Sequence, residues 1–92
     1  MMDNNKKYTQ TELYRAYNFS KKNKDSLIGS ISCGCFTCET LFLANDIRDW
    51  VINDDGQLTA ICPYCEADTV IGDSVVYPLK KDFLRAMKKI WH

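Results

Sequence analysis

The sequence is poor in histidine, proline and glycine, and it contains no long hydrophobic run. Its 92 residues include one histidine, two prolines and four glycines. No segment approaches the roughly 18 consecutive apolar residues of a membrane-spanning helix. Residues 1–19 also lack the apolar core and the small-residue cleavage site of a signal peptide. These absences predict a cytoplasmic protein without a membrane partner.

Net charge is also absent, because twelve basic side chains balance twelve acidic ones. The charges are unevenly distributed along the chain. Residues 1–24 carry six basic and two acidic side chains, residues 25–73 carry one and nine, and residues 74–92 carry five and one. An acidic centre between two basic ends opposes the approach of phosphate groups, so the composition does not favour general affinity for nucleic acids.

Cysteine is the residue type that is plentiful for the length of the chain. Five cysteines occur in 92 residues. A chain this short buries only about 60–65% of its unfolded surface, so a small core usually needs disulfides or a metal. An odd number of cysteines fits a disulfide framework poorly, and clustered cysteines in a reducing compartment are more often metal ligands or catalytic groups. The cysteines therefore predict a metal site.

Four of the cysteines form two pairs with metal-ligand spacing. Cys35-Phe-Thr-Cys38 and Cys62-Pro-Tyr-Cys65 are separated by 23 residues. Zinc in structural sites takes four tetrahedral ligands, and a C-x-x-C turn brings two sulfurs to one point. The spacing predicts one structural Zn²⁺ held by these four thiolates. The fifth cysteine, Cys33, has three interpretations: a small buried residue, an alternative ligand in place of Cys35, or a reactive thiol.

The N-terminal third of the sequence favours helix. Residues 1–8 are predicted to be disordered and residues 9–29 helical. Thr9 and Glu12 have the spacing of a capping box, in which each side chain accepts a backbone N–H of the other residue. Ser20 is a candidate N-cap for a second helix. We therefore predict two short helices in this segment.

The middle of the chain, residues 30–73, has short strand patterns around the cysteines. Residues 50–52 and 58–61 are rich in β-branched and aromatic residues and flank the pair Asp55-Gly56, which is typical of a hairpin turn. Residues 70–71 are a candidate third strand. We expect these strands to form short β-hairpins that carry the cysteine pairs.

Residues 78–91 give the clearest helical pattern, with Pro78 in the first turn, where its missing N–H has no cost. The apolar residues fall on one side of the helix: Leu79, Phe83, Leu84, Ala86, Met87, Ile90 and Trp91. The basic residues fall on the other: Lys81, Arg85, Lys88 and Lys89. The predicted fold is therefore a single small α+β metal-bound domain over residues 1–92, with short β-hairpins, N-terminal helices and an amphipathic C-terminal helix.

The cysteine motifs resemble a known family. Cys35-x-x-Cys38-x-x-x-Phe42 and Cys62-Pro-x-Cys65 are similar to the two knuckles of the zinc-ribbon superfamily. A wider pattern resembles a group of small uncharacterised bacterial cytoplasmic proteins over residues 19–92: Cys33-Gly-Cys35-Phe-x-Cys38, Ile61-Cys62-Pro-Tyr-Cys65, Asp68-x-Val70-Ile71-Gly72 and Tyr77-Pro78-x-x-x-x-Phe83-Leu84. The resemblance implies the fold and the compartment, and it implies no activity.

One position in each knuckle departs from the zinc-ribbon pattern. The family usually has glycine after the second cysteine, where this chain has Glu39 and Glu66. A non-glycine residue with positive φ at that position would be mildly strained.

Two catalytic interpretations fit the sequence poorly. Cys62-Pro-Tyr-Cys65 is identical to the glutaredoxin active-site motif, which opens a long helix in a βα scaffold, but only 27 residues follow Cys65 and the next residues lack a helical pattern. A catalytic zinc keeps an open position and usually has histidine ligands, and the one histidine is His92. We therefore predict that the chain is not an enzyme, with thiol–disulfide exchange as the second alternative function.

Two binding functions are compatible with the surface residues. The first is protein–protein interaction, as an adaptor, inhibitor or immunity-type regulator, with Tyr64 at the tip of a knuckle as an anchor. The alternative is nucleic-acid binding by the basic side chains of the last helix, which are listed above. A row of like charges on a helix is more often only its solvated face. Neither the partner nor the oligomeric state follows from the sequence.

Overall fold

Three helices and two antiparallel sheets make up residues 8–91, the part of the chain that the computed structural model describes. The predicted α+β class is confirmed. The elements follow in the order α1 (Gln10–Asn18), α2 (Lys24–Ile28), β1 (Ser32–Cys35), β2 (Leu41–Leu43), a 3₁₀ turn (Ala44–Asp46), β3 (Asp49–Ile52), β4 (Leu58–Ile61), β5 (Val70–Gly72) and α3 (Lys81–Trp91). No helix within these residues has the length and apolarity needed to cross a membrane.

The predicted capping box begins α1. The Thr9 hydroxyl accepts a hydrogen bond from the Glu12 amide at 3.1 Å, and the Glu12 carboxylate accepts one from the Thr9 amide at 2.8 Å. Most of the predicted disordered segment lies outside the described residues, but Tyr8 is described and packed. Its hydroxyl donates to Asp82 at 2.7 Å, and its ring packs edge-on against Phe83. The packing of Tyr8 differs from the disorder predicted at that residue, and for residues 1–7 disorder stays a prediction.

The second helix begins later than predicted, because Ser20 lies in the turn that follows α1. The Ser20 hydroxyl donates to the Tyr17 carbonyl at 2.7 Å, and α2 starts only after Asn23. The buried Asn23 side chain joins the two sheets instead. Its Nδ2 donates to the Val70 carbonyl of β5 at 2.8 Å, and its Oδ1 accepts from the Ala60 amide of β4 at 3.0 Å.

The strands form two separate sheets. The first has the order β2-β1-β5, with Cys33 opposite Phe42 on one side and Gly72 on the other. The second is the predicted β3–β4 hairpin, which is confirmed, with β3 one residue longer than predicted. Gly56 has a φ of 84° in its turn, a conformation that glycine adopts without steric cost. Strands β1 and β2 were not delimited from the sequence.

The last helix starts at Lys81, three residues later than predicted from Pro78, which lies before the helix and follows a cis peptide bond. Its buried face is Phe83, Leu84 and Met87. Ile90 lies at the margin of the predicted apolar side and is 38% exposed. The helix packs closely on β1, since a Cβ at Gly34 would lie 2.7 Å from Leu84 Cδ1.

Two apolar clusters form the core. The first lies between the three-stranded sheet, α1 and α3. It consists of Leu13, Ala16, Phe36, Ile71, Phe83, Leu84 and Met87. The second contains residues of both sheets, of α2 and of the cysteine turns, and consists of Leu27, Cys33, Cys35, Phe42, Ala60, Cys62 and Val70. The cysteine pairs are therefore built into the junction between the two sheets.

Candidate metal centre

Two turns bring four sulfurs together. Cys35 ends β1 and Cys62 follows β4 directly, and Cys38 and Cys65 lie in the turns that come next. The four Sγ atoms lie within 4.8 Å of one another, and all four thiols are free. The prediction that these four cysteines converge is therefore confirmed.

The distances between the sulfurs fit a tetrahedral metal site. Cys35 Sγ lies 3.6 Å from Cys65 Sγ, and Cys38 Sγ lies 3.8 Å from Cys62 Sγ. A tetrahedron with metal–sulfur bonds of about 2.3 Å has edges of about 3.8 Å, whereas a disulfide bond measures about 2.05 Å. Both short contacts join one turn to the other, so an ion at the centre would connect the two sheets.

The first turn directs backbone groups toward Cys35. The Glu39 amide donates to the Cys35 carbonyl at 2.8 Å, and the Cys35 amide donates to the Thr40 carbonyl at 3.1 Å. The Thr37 amide points at Cys35 Sγ, 3.4 Å away.

The second turn repeats this hydrogen-bond pattern residue for residue. The Glu66 amide donates to the Cys62 carbonyl at 3.0 Å, the Cys62 amide donates to the Ala67 carbonyl at 2.9 Å, and the Tyr64 amide points at Cys62 Sγ from 3.4 Å. Two segments 27 positions apart thus fold into the same turn. The metal-ligand spacing is the feature that their sequences share.

The residue after each pair has the strained conformation that the sequence indicated. Glu39 has a φ of 60° and Glu66 a φ of 66°. This left-handed region costs an ordinary L-residue about 1–2 kcal/mol. This conformation closes the turn, because it lets the carbonyl of the next residue, Thr40 or Ala67, accept a hydrogen bond from the amide of the first cysteine.

The thiols differ in acidity. Desolvation, with the nearby Cys35 as a further cause, raises the pKa of Cys65 to about 12. Burial alone would also raise the pKa of Cys38, but hydrogen bonds with the side chain and backbone of Thr40 outweigh it and lower that pKa to about 7. Burial raises the pKa of Cys62 as well. A cation among the sulfurs would favour the thiolate form of all four.

Three threonines around the sulfurs were not recognised in the sequence. Thr69 Oγ1 lies 3.1 Å from Cys35 Sγ and 2.8 Å from Thr37 Oγ1. Thr40 Oγ1 lies 3.2 Å from Cys38 Sγ. Such hydroxyls orient metal ligands. Thr37 and Thr40 are close to the first pair in sequence, but nothing in the sequence links Thr69 to Cys35.

Cys33 lies outside the group of four. It is fully buried in the second apolar cluster. Burial, with a smaller contribution from the charge of Asp73, raises its pKa to about 12. A thiol that is inaccessible and protonated at neutral pH is a poor nucleophile, so its surroundings favour the interpretation as a small core residue.

The candidate anchor Tyr64 is 62% exposed, and its ring contacts Phe42 at 5.7 Å between centroids. It borders a groove of about 410 Å³ together with Leu41 and Leu43 of the edge strand β2 and with Leu79. Leu41 and Leu43 are exposed as well. The structure thus places an apolar surface beside the second knuckle. We call Leu41, Leu43 and Tyr64 the knuckle surface.

The four predicted basic residues of α3 fall into two groups. Arg85 Nε lies 3.2 Å from Glu39 Oε1, and Lys88 Nζ lies 3.7 Å from Glu39 Oε2. Lys81 and Lys89 are exposed at the two ends of the row. The charge of Glu39 therefore offsets part of the predicted basic face.

The Cys62-Pro-Tyr-Cys65 motif forms a turn between β4 and β5, and no helix lies between these strands. Cys62 is fully buried. The scaffold on which this motif exchanges disulfides in glutaredoxins is therefore missing around it.

No family model, curated protein or solved structure matches the chain. The resemblance to zinc ribbons consequently stays a prediction from the motifs, and the function has to be argued from the geometry of the site itself.

Proposed function

We propose that the chain is a structural zinc-binding domain of the zinc-ribbon type, in which Cys35, Cys38, Cys62 and Cys65 hold one Zn²⁺. The observation that supports this proposal most directly is the convergence of four sulfurs from two turns with the same backbone hydrogen bonds. Four protein thiolates complete the coordination of zinc and leave no position for a substrate, so the proposed role is structural and includes no catalysis. A cytoplasmic location stays a prediction.

The ion would supply a link that the backbone lacks. The first knuckle follows β1 and the second follows β4, and these strands belong to different sheets. Structural zinc contributes on the order of 10–16 kcal/mol of binding free energy in small domains. Typical folding free energies are about 5–15 kcal/mol. We therefore expect the junction of the sheets to depend on the ion.

Serine substitutions test the ligand assignment. Each of the variants Cys35→Ser, Cys38→Ser, Cys62→Ser and Cys65→Ser should lose bound zinc and fold poorly. Cys33→Ala is the matched control, since it removes a buried sulfur outside the group of four and should retain zinc. The measurement is the zinc content per chain together with the circular dichroism spectrum. Zinc loss in Cys33→Ala with retention in Cys35→Ser would move the ligand assignment to Cys33.

We further propose that the domain acts by protein–protein interaction through the knuckle surface, as an adaptor, inhibitor or immunity-type regulator. Exposed leucines on an edge strand next to an exposed tyrosine support this proposal, because tyrosine is a frequent anchor of interfaces. The hydrogen-bonded turn that carries Tyr64 supports it too, since a backbone already held in place loses little conformational entropy when a partner covers the ring.

Tyr64→Ala tests this surface. The ring is exposed, so we expect the melting temperature and the zinc content to change little. At the centre of an interface the same ring contributes about 2 kcal/mol or more, and capture of the physiological partner in affinity purification should fall accordingly. The control is Tyr77→Ala, which removes another exposed tyrosine outside the knuckle surface. Equal capture by both variants would show that the interface lies elsewhere.

A further inference from the structure

Two cations of α3 converge on one carboxylate. Arg85 Nε and Lys88 Nζ each approach a different oxygen of Glu39, at 3.2 and 3.7 Å. The Glu39 side chain is 22% exposed, whereas that of Arg85 is 60% exposed. The carboxylate is therefore less exposed than either cation, since the Lys88 side chain is 35% exposed.

Glu39 is held in this place by the first knuckle. Its positive φ and the hydrogen bond from its amide to the Cys35 carbonyl fix the backbone from which its side chain extends. An arginine and a lysine around a pair of oxygens form an arrangement that also binds phosphate. Glu39 thus occupies, as an internal anion, a position that suits a phosphate oxygen.

The lysines on either side of Arg85 and Lys88 favour a ligand with several regularly spaced negative charges over a single carboxylate. Lys81 and Lys89 are exposed on either side of the pair. Lys81, Arg85 and Lys88 follow one another at helical spacings of four and three residues, so they share one face of α3. At about 1.5 Å per residue, the row from 81 to 89 spans about 12 Å. A nucleic-acid backbone presents phosphates continuously over such a length.

We infer that this face of α3 is a latent binding site for the phosphodiester backbone of a nucleic acid, and that Glu39 masks its two central cations. The inference goes beyond the proposed structural and protein-binding roles. In the protein as folded, Lys81 and Lys89 are available to phosphates, while Arg85 and Lys88 become available only when Glu39 is displaced or neutralised.

The masking has a measurable consequence for salt dependence. Each phosphate contact adds about 0.9 to the magnitude of the slope of log K against log salt on duplex DNA. Two available lysines predict a slope of about −1.8 for the wild-type chain, and release of Arg85 and Lys88 predicts about −3.6.

The test compares Glu39→Gln with Glu66→Gln. Both substitutions remove one negative charge at the same position of a knuckle, where φ is 60° and 66° respectively. Of these two glutamates, Glu39 is the one that pairs with Arg85 and Lys88 of α3 within residues 8–91. Fluorescence anisotropy with a labelled DNA duplex, titrated from about 20 to 150 mM salt, gives the slope for each zinc-loaded variant. We expect Glu39→Gln to steepen the slope by about 1.8 and Glu66→Gln to leave it at the wild-type value.

Two further variants keep the test decisive if Glu39→Gln folds poorly. In the wild-type background, Lys81→Gln/Lys89→Gln should abolish the salt-dependent binding, whereas Arg85→Gln/Lys88→Gln should leave most of it. Equal slopes for Glu39→Gln and Glu66→Gln would overturn the inference, because the gain would then reflect net charge alone. Absence of DNA binding by the wild-type chain at the lowest salt would overturn it as well. So would an equal loss of binding in Lys81→Gln/Lys89→Gln and in Arg85→Gln/Lys88→Gln.

Discussion

Glu39 and Glu66 occupy equivalent positions in the two knuckles and have the same strained backbone conformation. Their side chains differ in surroundings. Glu39 pairs with Arg85 and Lys88, whereas Glu66 lies in an exposed turn. The sequence indicated the backbone strain at both positions, since the zinc-ribbon pattern has glycine there. It did not indicate the ion pairs, because α3 lies more than 40 residues away along the chain and only the fold brings it to Glu39.

The strain predicts that glycine stabilises the second knuckle. Positive φ costs glutamate about 1–2 kcal/mol, and a glycine at this position would remove that cost. The greater conformational freedom of glycine in the unfolded chain offsets part of the resulting stabilisation. We therefore expect Glu66→Gly to raise the free energy of unfolding by about 0.5–1 kcal/mol. Urea denaturation at saturating zinc gives this value.

Glu39→Gly provides the comparison. It relieves the same backbone strain but removes the carboxylate that pairs with α3, and partly exposed ion pairs contribute about 0–1 kcal/mol. Its gain should therefore be smaller than that of Glu66→Gly. Equal gains would show that the contact with Arg85 and Lys88 contributes nothing to folding, and a loss in Glu66→Gly would contradict the strain argument.

The elements that were predicted well are those whose signals are local. The Thr9–Glu12 capping box and the Asp55-Gly56 turn each involve residues a few positions apart, and both are present in the structure. The errors concern elements whose ends depend on distant contacts. Helix α2 begins at Lys24 because the preceding Asn23 bonds to strands 37 and 47 residues away. No local pattern distinguishes this asparagine from the earlier candidate Ser20.

We therefore expect the Asn23 side chain to stabilise the junction between the two sheets. Asn23→Ala leaves the Ala60 amide and the Val70 carbonyl without their partner, and each buried unsatisfied group costs about 1–3 kcal/mol. The expected loss of unfolding free energy is about 2–6 kcal/mol, with faster hydrogen exchange at the Ala60 amide. The control Asn45→Ala changes an exposed asparagine and should stay within about 0.5 kcal/mol. Unchanged protection of the Ala60 amide in Asn23→Ala would argue against this account of the junction.

The packing of α3 on β1 depends on Gly34. An alanine methyl there would lie 2.7 Å from Leu84 Cδ1, so the buried Leu84 side chain or the helix would have to shift. Overpacking of this kind costs typically about 1–3 kcal/mol. The comparison is Gly29→Ala, where the nearest atom would be 3.7 Å away and φ is −82°. We expect thermal denaturation to show a lower melting temperature for Gly34→Ala and no decrease for Gly29→Ala. Similar values for both would mean that the contact with Leu84 is not tight.

At the scale of the whole molecule, the four sulfurs lie within residues 8–91 where a turn after one sheet meets a turn after the other. The convergence of the four sulfurs was predicted from the sequence, because a C-x-x-C turn brings its two sulfurs to one point. The sequence did not predict that the two knuckles would belong to separate sheets joined by Asn23 and by the cysteines. This arrangement explains why a chain with two modest apolar clusters would need a metal.

Native mass spectrometry of the full chain, purified without added metal or chelator, tests the central claim most directly. We expect one species whose excess mass corresponds to a single Zn²⁺ that replaces thiol protons, and we expect chelation of that ion to unfold the chain. Iron at the same stoichiometry would keep the four-thiolate site and change only the ion. A folded chain that carries no metal, or one in which these cysteines are joined in disulfides, would contradict the proposed metal site.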